Sequence, residues 1–128
     1  MMIDKKKATI LIADDSVTNS ILIKGILESE GFTNIITVHN GKESLKFIKS
    51  ELLSTIILDI KMPNNISGID ILEQLKSNIT TKDIPVIIIS ANNNDKEIEL
   101  CKQLGIITYL HKPVNIELFI ETINKLYK

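Results

Sequence analysis

The side chains of this sequence that are best suited to chemistry follow short apolar stretches, each at the point where a buried strand would end. Asp59 comes directly after Ile56-Ile57-Leu58, a wholly apolar run of residues that favour β-structure. Three further stretches end in the same way, in Asp14-Asp15, in Ser90 and in Lys112-Pro113. The four strand ends therefore supply an acid pair, a single acid, a hydroxyl and an amine.

Asp59 taken alone is an ordinary turn or helix-capping residue, so the case for chemistry rests on its neighbours. Open α/β sheets gather their binding and catalytic groups at the carboxyl ends of parallel strands. Three carboxylates at such an edge repel one another and raise one another's pKa unless a cation lies among them. A hard divalent ion such as Mg²⁺, which prefers oxygen ligands, is the natural partner of Asp14, Asp15 and Asp59. The alternative is a structural acidic patch that binds no metal.

The elements that must position these side chains alternate between strand and helix along the chain. Apolar, β-favouring runs predict strands at residues 9–13, 35–38, 56–58, 86–89 and 108–110. Helical spacing and capping residues predict helices at about 17–30, 42–50 and 69–77, a fourth that ends at Gly105 and a fifth that begins near Asn115. This alternation predicts an α/β fold whose parallel sheet is covered on both faces, with right-handed crossovers.

Three of the predicted helices carry further signals. In the first helix, Val17, Ile21 and Leu22 recur at helical spacing. In the fourth, Cys101 is expected to be a small buried hydrophobe, and Asn94 with Glu97 resembles a capping box. The last helix carries a longer apolar stripe that we assign mostly to the core, formed by Ile116, Phe119, Ile120, Ile123, Leu126 and Tyr127.

Composition indicates one domain and excludes several classes of partner. The chain has 128 residues with 44% hydrophobic content, enough for a single core, so we take residues 1–128 as one domain. A net charge of -1 predicts no direct binding to nucleic acid. No apolar run approaches the roughly 18 residues of a membrane span, so membrane insertion is not expected. All 15 basic residues are lysine, which leaves lysine, backbone or metal to meet a phosphate. The single cysteine fits a reducing cytoplasm, the expected location.

The order and spacing of the polar positions resemble the receiver domain of bacterial two-component response regulators, of the chemotaxis-regulator type. The resemblance covers about residues 8–127, and its motif residues are Asp14, Asp15, Asp59, Ser90 and Lys112. It implies a flavodoxin-like (βα)5 fold, a doubly wound parallel sheet with strand order 2-1-3-4-5. It also implies that Asp59 accepts a phosphoryl group, in a Mg²⁺-dependent reaction, from a sensor histidine kinase or a histidine phosphotransfer protein.

The resemblance assigns the metal ligands. Asp15 and Asp59 would bind Mg²⁺ directly, and Asp14 would act from the outer shell. The backbone carbonyl of Lys61 would be a further ligand.

The resemblance also assigns the residues that respond to phosphorylation. The ammonium of Lys112 and the hydroxyl of Ser90 would contact the new phosphoryl group. Tyr109 would turn inward as Ser90 moves, which would switch a surface made of the fourth helix, the fifth strand and the fifth helix. That surface would meet a downstream protein target. The Lys112-Pro113 peptide bond would be cis.

The sequence departs from the family pattern near the predicted phospho-acceptor. Four residues, 64–67, stand between Pro63 and Gly68, where the family usually has three, so the loop is expected to be reshaped. Lys61 and Asn92 occupy positions that tune water attack in the family, and we expect them to set the lifetime of the phosphorylated state. Lys61 is a less usual residue there.

The two histidines are not expected to carry a phosphoryl group. His39 ends the second strand, and we predict that it lies away from the acidic residues. His111 is one residue off the family pattern. Both are expected to be solvated.

Two other classes of protein compete with this interpretation. A Mg²⁺-dependent phosphohydrolase of the haloacid dehalogenase type would need Asp-x-Asp-x-Thr where this chain has Asp14-Asp15-Ser16-Val17. A flavodoxin-like cofactor binder would need a phosphate-binding loop after the first strand. A receiver would catalyse only its own phosphorylation and dephosphorylation, and would act alone or within a larger hybrid protein. It would be a monomer or a phosphorylation-dependent dimer.

Overall fold

The computed structural model describes residues 3–127, which form a five-stranded parallel sheet and five helices. The strands are β1 (Thr9–Ala13), β2 (Asn34–Val38), β3 (Thr55–Leu58), β4 (Val86–Ser90) and β5 (Thr108–His111). The helices are α1 (Val17–Ser29), α2 (Gly41–Ser50), α3 (Gly68–Ser77), α4 (Asp95–Gln103) and α5 (Ile116–Asn124). The strand order is β2-β1-β3-β4-β5 and every pairing is parallel, which confirms the predicted flavodoxin-like fold.

The central strands are apolar except at their ends, at Thr9, Thr55 and Ser90, because helices cover both faces of the sheet. Every residue of β3 and β4 is buried. In β1, Ile10 and Ile12 pack into a cluster with residues of α1 and α5. Leu11 and Ala13 point to the opposite face and pack with residues of α3 and α4. Two apolar layers thus hold the sheet and fix the direction in which each strand end points.

The three apolar residues that were predicted to mark the inner face of α1 do not form its buried face. Val17, Ile21 and Leu22 are 57%, 67% and 42% exposed. The residues that α1 buries are Ser20, Ile23, Ile26 and Leu27. Ser20 fits this face because its hydroxyl donates to the Ser16 carbonyl at 3.0 Å, which satisfies the one polar group of the side chain within the helix.

The apolar stripe of the last helix is mostly core, as predicted. Phe119 and Ile123 are fully buried, and Tyr127, beyond the end of α5, is buried as well. Ile116 is the exception, because it is 45% exposed at the start of the helix. Cys101 is buried on α4, as expected.

Each helix begins at a side chain that accepts a hydrogen bond from the first turn, and the capping residues are Ser16, Asn40, Ser67, Asn94 and Asn115. The capping box predicted for α4 is not completed. The Asn94 N–H donates to Asn92 Oδ1 at 2.9 Å, and the Glu97 carboxylate accepts from the Asn92 amide instead. Over residues 3–127, no helix is both long and apolar enough to cross a bilayer.

Candidate functional site

The register of the sheet brings the polar strand-end residues to one edge. Ala13 of β1 pairs with Leu58 of β3, so the acids that follow them emerge at the same level. The Asp59 N–H donates to the Ala13 carbonyl at 2.9 Å. On the other side of β3, Ser90 ends β4, and its carbonyl accepts the Lys112 N–H at 3.0 Å. The backbone alone therefore gathers the residues that are scattered in the sequence.

Three carboxylates converge at this edge. One oxygen from each of Asp14, Asp15 and Asp59 lies within 4.8 Å of the other two. Asp14 and Asp59 are only 3% and 4% exposed, whereas Asp15 faces solvent. Burial raises the pKa of Asp59, a bond from Lys112 opposes this, and the charge of Asp14 raises the pKa further. The site thus concentrates negative charge that the protein only partly neutralises.

Lys112 supplies the cation that touches this cluster. Its ammonium lies 2.9 Å from Asp59 Oδ2 and 3.1 Å from Asp14 Oδ2. Burial works against the charged form of Lys112, but hydrogen bonds to both carboxylates and their charges outweigh it and raise its pKa. The Lys112-Pro113 peptide bond is cis, as the resemblance implied.

Asp14 and Asp15 differ in how many protein donors they meet. Asp14 Oδ1 accepts from the Ser16 N–H at 2.8 Å, and Oδ2 accepts from the Asn19 side chain at 2.6 Å. Among residues 3–127, the Asp15 carboxylate makes no hydrogen bond or ion pair. The Asp14 carboxylate therefore already accepts hydrogen bonds from the protein, whereas the Asp15 carboxylate is open to a ligand. Asn19 was not predicted as a site residue, and its position in the first turn of α1, just after the acid pair, is the signal that could have identified it.

His39 lies beside the acid cluster, contrary to the prediction. Its Nδ1 is 2.9 Å from the Asp14 carbonyl oxygen, and the residue is half-buried rather than solvated. The reason is the pairing of β2 with β1, which brings the residue after Val38 next to the turn after Ala13. His111 is exposed, as expected, and its ring centroid lies 5.1 Å from that of Tyr109.

The longer loop after Asp59 is accommodated by two left-handed residues. Asn64 and Asn65 have φ values of 66° and 63°, a conformation that asparagine tolerates better than most residues. The loop then returns to β3, where the Gly68 N–H donates to the Ile60 carbonyl at 2.7 Å. A Cβ atom on Gly68 would overlap the Asp59 carbonyl, so only glycine allows the loop to close this tightly.

A cleft of about 590 Å³ opens at the acid cluster, and its lining includes Asp15, Asp59, Lys61, Ser90, Asn92 and Lys112. Ser90 is buried, and its Oγ accepts the Asn92 N–H at 3.2 Å. The Tyr109 hydroxyl donates to the Asn92 carbonyl at 2.8 Å, and burial raises the pKa of Tyr109. Lys61 is exposed, and its N–H lies 3.4 Å from Asp59 Oδ1.

The donor set at this edge suits a hard divalent cation. It consists of carboxylate oxygens, it carries excess negative charge, and the exposed Asp15 leaves one side open to solvent. Mg²⁺ is bound through a few carboxylates and keeps several waters, which fits a site of this kind.

Comparisons with known proteins agree on one family. The family model described as the response regulator receiver domain matches residues 10–124. The polar-differentiation response regulator DivK of Brucella anthropi is 31% identical over 115 residues, which are 90% of this chain and 92% of that protein. A receiver domain of a DNA-binding response regulator from Colwellia psychrerythraea superposes with a TM-score of 0.87 at 25% identity, over 94% of this chain and 98% of that one.

One relative is much longer than this chain. A probable cyclic di-GMP phosphodiesterase of Vibrio cholerae is 34% identical over 118 residues, which are 91% of this chain but only 26% of that protein. The chain therefore spans about a quarter of that relative, and the similarity does not extend to the rest of it. None of these matches favours the phosphohydrolase of the haloacid dehalogenase type or the flavodoxin-like cofactor binder.

Proposed function

This chain belongs to the response regulator receiver domain family, and from this premise we propose that Asp59 accepts a phosphoryl group and thereby switches a protein-binding surface. The observation that supports the proposal most directly is the position of the Asp59 carboxylate. It is buried, lies within reach of Asp14 and Asp15, and is bonded to the ammonium of Lys112 at the wall of an open cleft.

Mg²⁺ is the proposed cofactor. Asp15 and Asp59 would hold it directly, Asp14 would act from the outer shell, and the Lys61 carbonyl would be a further ligand. The protein donors already on Asp14 support this division of roles. When bound, Mg²⁺ would supply positive charge to the phosphoryl oxygens during transfer.

The donor is proposed to be a phosphohistidine of a sensor histidine kinase or a phosphotransfer protein. An Asp59 carboxylate oxygen forms the new P–O bond, the P–N bond to the histidine breaks, and the imidazole leaves with its electron pair and takes a proton from solvent. Asp59 must be ionised to attack. Lys112 favours that form because its bond to the carboxylate opposes the effect of burial on the pKa.

Lys112, Ser90 and Tyr109 would report the new charge. Lys112 already bonds Asp59, and Ser90 ends the adjacent strand β4. The Ser90 hydroxyl accepts a hydrogen bond from the Asn92 N–H, so movement of Ser90 would disturb the backbone of Asn92. The Tyr109 hydroxyl donates to the carbonyl of the same Asn92, so the disturbance would reach Tyr109. The site is thereby connected to the surface formed by α4, β5 and α5, where a protein target would bind.

The wider setting follows the same proposal. The chain would act in the cytoplasm as a single receiver domain, alone or as part of a longer protein. It would turn over only its own phosphoryl group.

The test of the proposed function is incubation with acetyl phosphate and Mg²⁺ followed by intact-protein mass measurement. Gain of one phosphoryl group would support the proposal, and an unchanged mass would contradict it.

A further inference from the structure

Asn92 lies at the centre of four hydrogen bonds beside the candidate site. Its N–H donates to Ser90 Oγ at 3.2 Å, and its carbonyl accepts the Tyr109 hydroxyl at 2.8 Å. Its side-chain oxygen accepts the Asn94 N–H at 2.9 Å, and its side-chain nitrogen donates to the Glu97 carboxylate. The backbone of Asn92 therefore contacts the switch residues, while its side chain is fixed to the start of α4.

Glu97 is diverted from the role that its position in α4 would give it. In a capping box, the third helical residue returns to the N–H of the capping residue, here Asn94. That N–H is already bonded to the Asn92 oxygen, so the half-buried Glu97 carboxylate takes the Asn92 amide nitrogen instead. We call the contact between Glu97 and the Asn92 amide the clasp. Asn92 thus takes the place of Glu97 as the acceptor for the Asn94 N–H, and Glu97 in turn fixes the Asn92 side chain.

The clasp determines where the Asn92 amide points within the cleft. Asn92 and Glu97 both line the cleft that contains Asp59, Ser90 and Lys112. An amide offers an oxygen that can accept a hydrogen bond from water and orient it. With both side-chain atoms bonded to α4, the Asn92 amide is held in one orientation and is not free to follow a water that approaches the phosphoryl group.

We propose that Glu97 is a positioning residue that lengthens the phosphorylated state by holding the Asn92 amide in the clasp. The inference rests on the proposed function. In the hydrolysis that it slows, a water oxygen attacks phosphorus and the P–O bond to Asp59 breaks. Inorganic phosphate leaves, the carboxylate is restored, and the proton of the attacking water passes to solvent. Without Glu97, the Asn92 amide is held only through its oxygen, by the Asn94 N–H. The amide can then turn that oxygen toward the attacking water, accept a hydrogen bond from it and align it.

The test compares the decay of the acetyl-phosphate adduct in variants of the full chain at equal Mg²⁺. Glu97→Ala opens the clasp, Glu97→Gln keeps an acceptor for the amide, and Glu99→Ala removes an exposed acid from the same helix as a control. We expect decay about three- to tenfold faster in Glu97→Ala, a factor that corresponds to the net worth of one ordinary hydrogen bond. Glu97→Gln and Glu99→Ala should decay like the wild type.

A double variant separates the clasp from a general effect on α4. In an Asn92→Ala background, Glu97→Ala should change the decay rate no further, because there is no amide left to release. The Asn92 side-chain NH₂ resonances of the unphosphorylated protein give a second readout. They should shift in Glu97→Ala and stay close to the wild-type positions in Glu99→Ala.

Two results would overturn the inference while leaving the proposed function intact. One is an adduct that decays at the wild-type rate in Glu97→Ala. The other is an equal acceleration by Glu97→Ala whether or not Asn92 is present. Failure of the proposed function is distinguishable, because then the wild-type protein forms no adduct.

Discussion

The Lys112 ammonium lies 2.9 Å from the Asp59 carboxylate, although the two residues follow strands that are not neighbours. Strand β4 separates β5 from β3, so the lysine side chain reaches past the end of β4 to the acid. The same ammonium also bonds Asp14. Any change of charge on Asp59 therefore alters the contacts of a residue that directly follows β5, one strand of the proposed output surface.

This relationship predicts that Lys112 reports phosphorylation without being required for it. Lys112→Ala should still form an adduct with acetyl phosphate in Mg²⁺, because the acceptor and the metal ligands are intact. The NMR shift changes around Tyr109 should be incomplete. The matched control is Lys46→Ala, an exposed lysine of α2, which should behave like the wild type. A full wild-type shift pattern around Tyr109 in Lys112→Ala would show that Lys112 does not connect phosphorylation of Asp59 to Tyr109.

The open carboxylate of Asp15 predicts a direct metal contact. Asp15→Asn should weaken Mg²⁺ binding by about tenfold or more, since even residues that only support a metal ligand change metal affinity by factors of 10–100. The measurement is an NMR titration with Mg²⁺, with Asp95→Asn, an exposed acid in the first turn of α4, as the control. Equal affinities in wild type and Asp15→Asn would mean that Asp15 is not a ligand.

Lys61 is predicted to prolong the phosphorylated state. It is exposed at the wall of the cleft, two residues after the acceptor, and its ammonium has no acceptor atom with which to align a water. Lys61→Ala should shorten the adduct lifetime by about two- to fivefold, the scale of an exposed charge interaction. A longer lifetime in the variant would reverse the predicted sign, and an unchanged lifetime would mean that the side chain points into solvent.

Asp59 is predicted to destabilise the fold in the absence of metal. Burial raises its pKa above the ordinary 3.8, so the unfolded chain loses the Asp59 proton at lower pH than the folded protein does. Its contribution to the free energy of unfolding therefore falls as the pH rises from about 3.8 through the raised folded value. Asp59→Asn should raise the free energy of unfolding at neutral pH by about 0.5–2 kcal/mol, the usual range for one stabilising substitution.

Urea denaturation with and without Mg²⁺ checks this prediction. The difference in the free energy of unfolding between Asp59→Asn and the wild type should shrink when Mg²⁺ is added. The cation binds the wild-type protein through Asp59 and offsets the repulsion among the carboxylates, whereas the variant lacks that ligand. The difference should also shrink as the pH is lowered through the raised folded pKa to below 3.8, where the wild-type acid becomes protonated in both states. A variant that is less stable than the wild type in metal-free buffer at neutral pH would contradict the account.

The sheet and its polar edge could be predicted because they depend on local signals. The buried interiors of β1, β3 and β4 are continuous apolar runs, so these strands are visible in the sequence and the polar residue that follows each run marks its end. The predicted segments that end at Ala13 and Leu58 coincide with the ends of β1 and β3, and Asp14 and Asp59 follow them directly. The order of the strands came from the family resemblance, because strand patterns alone do not specify it.

The features that escaped prediction depend on tertiary contacts. Val17 and Ile21 have helical spacing, but the face of α1 that packs against the sheet is the one that carries Ser20, Ile23, Ile26 and Leu27. His39 has no local signal for its contact with Asp14, because that contact arises from the pairing of β2 with β1. Spacing along one element cannot identify which neighbour it will meet.

The most direct test of the account locates the phosphoryl group itself. The protein is phosphorylated with acetyl phosphate in Mg²⁺ and treated with borohydride, which reduces an aspartyl phosphate to homoserine, and the peptides are then mapped by mass spectrometry. The account predicts that homoserine replaces aspartate at Asp59 and at neither Asp14 nor Asp15, and that Asp59→Asn abolishes the signal. Homoserine at another aspartate, or an adduct that persists undiminished in Asp59→Asn, would contradict the central claim.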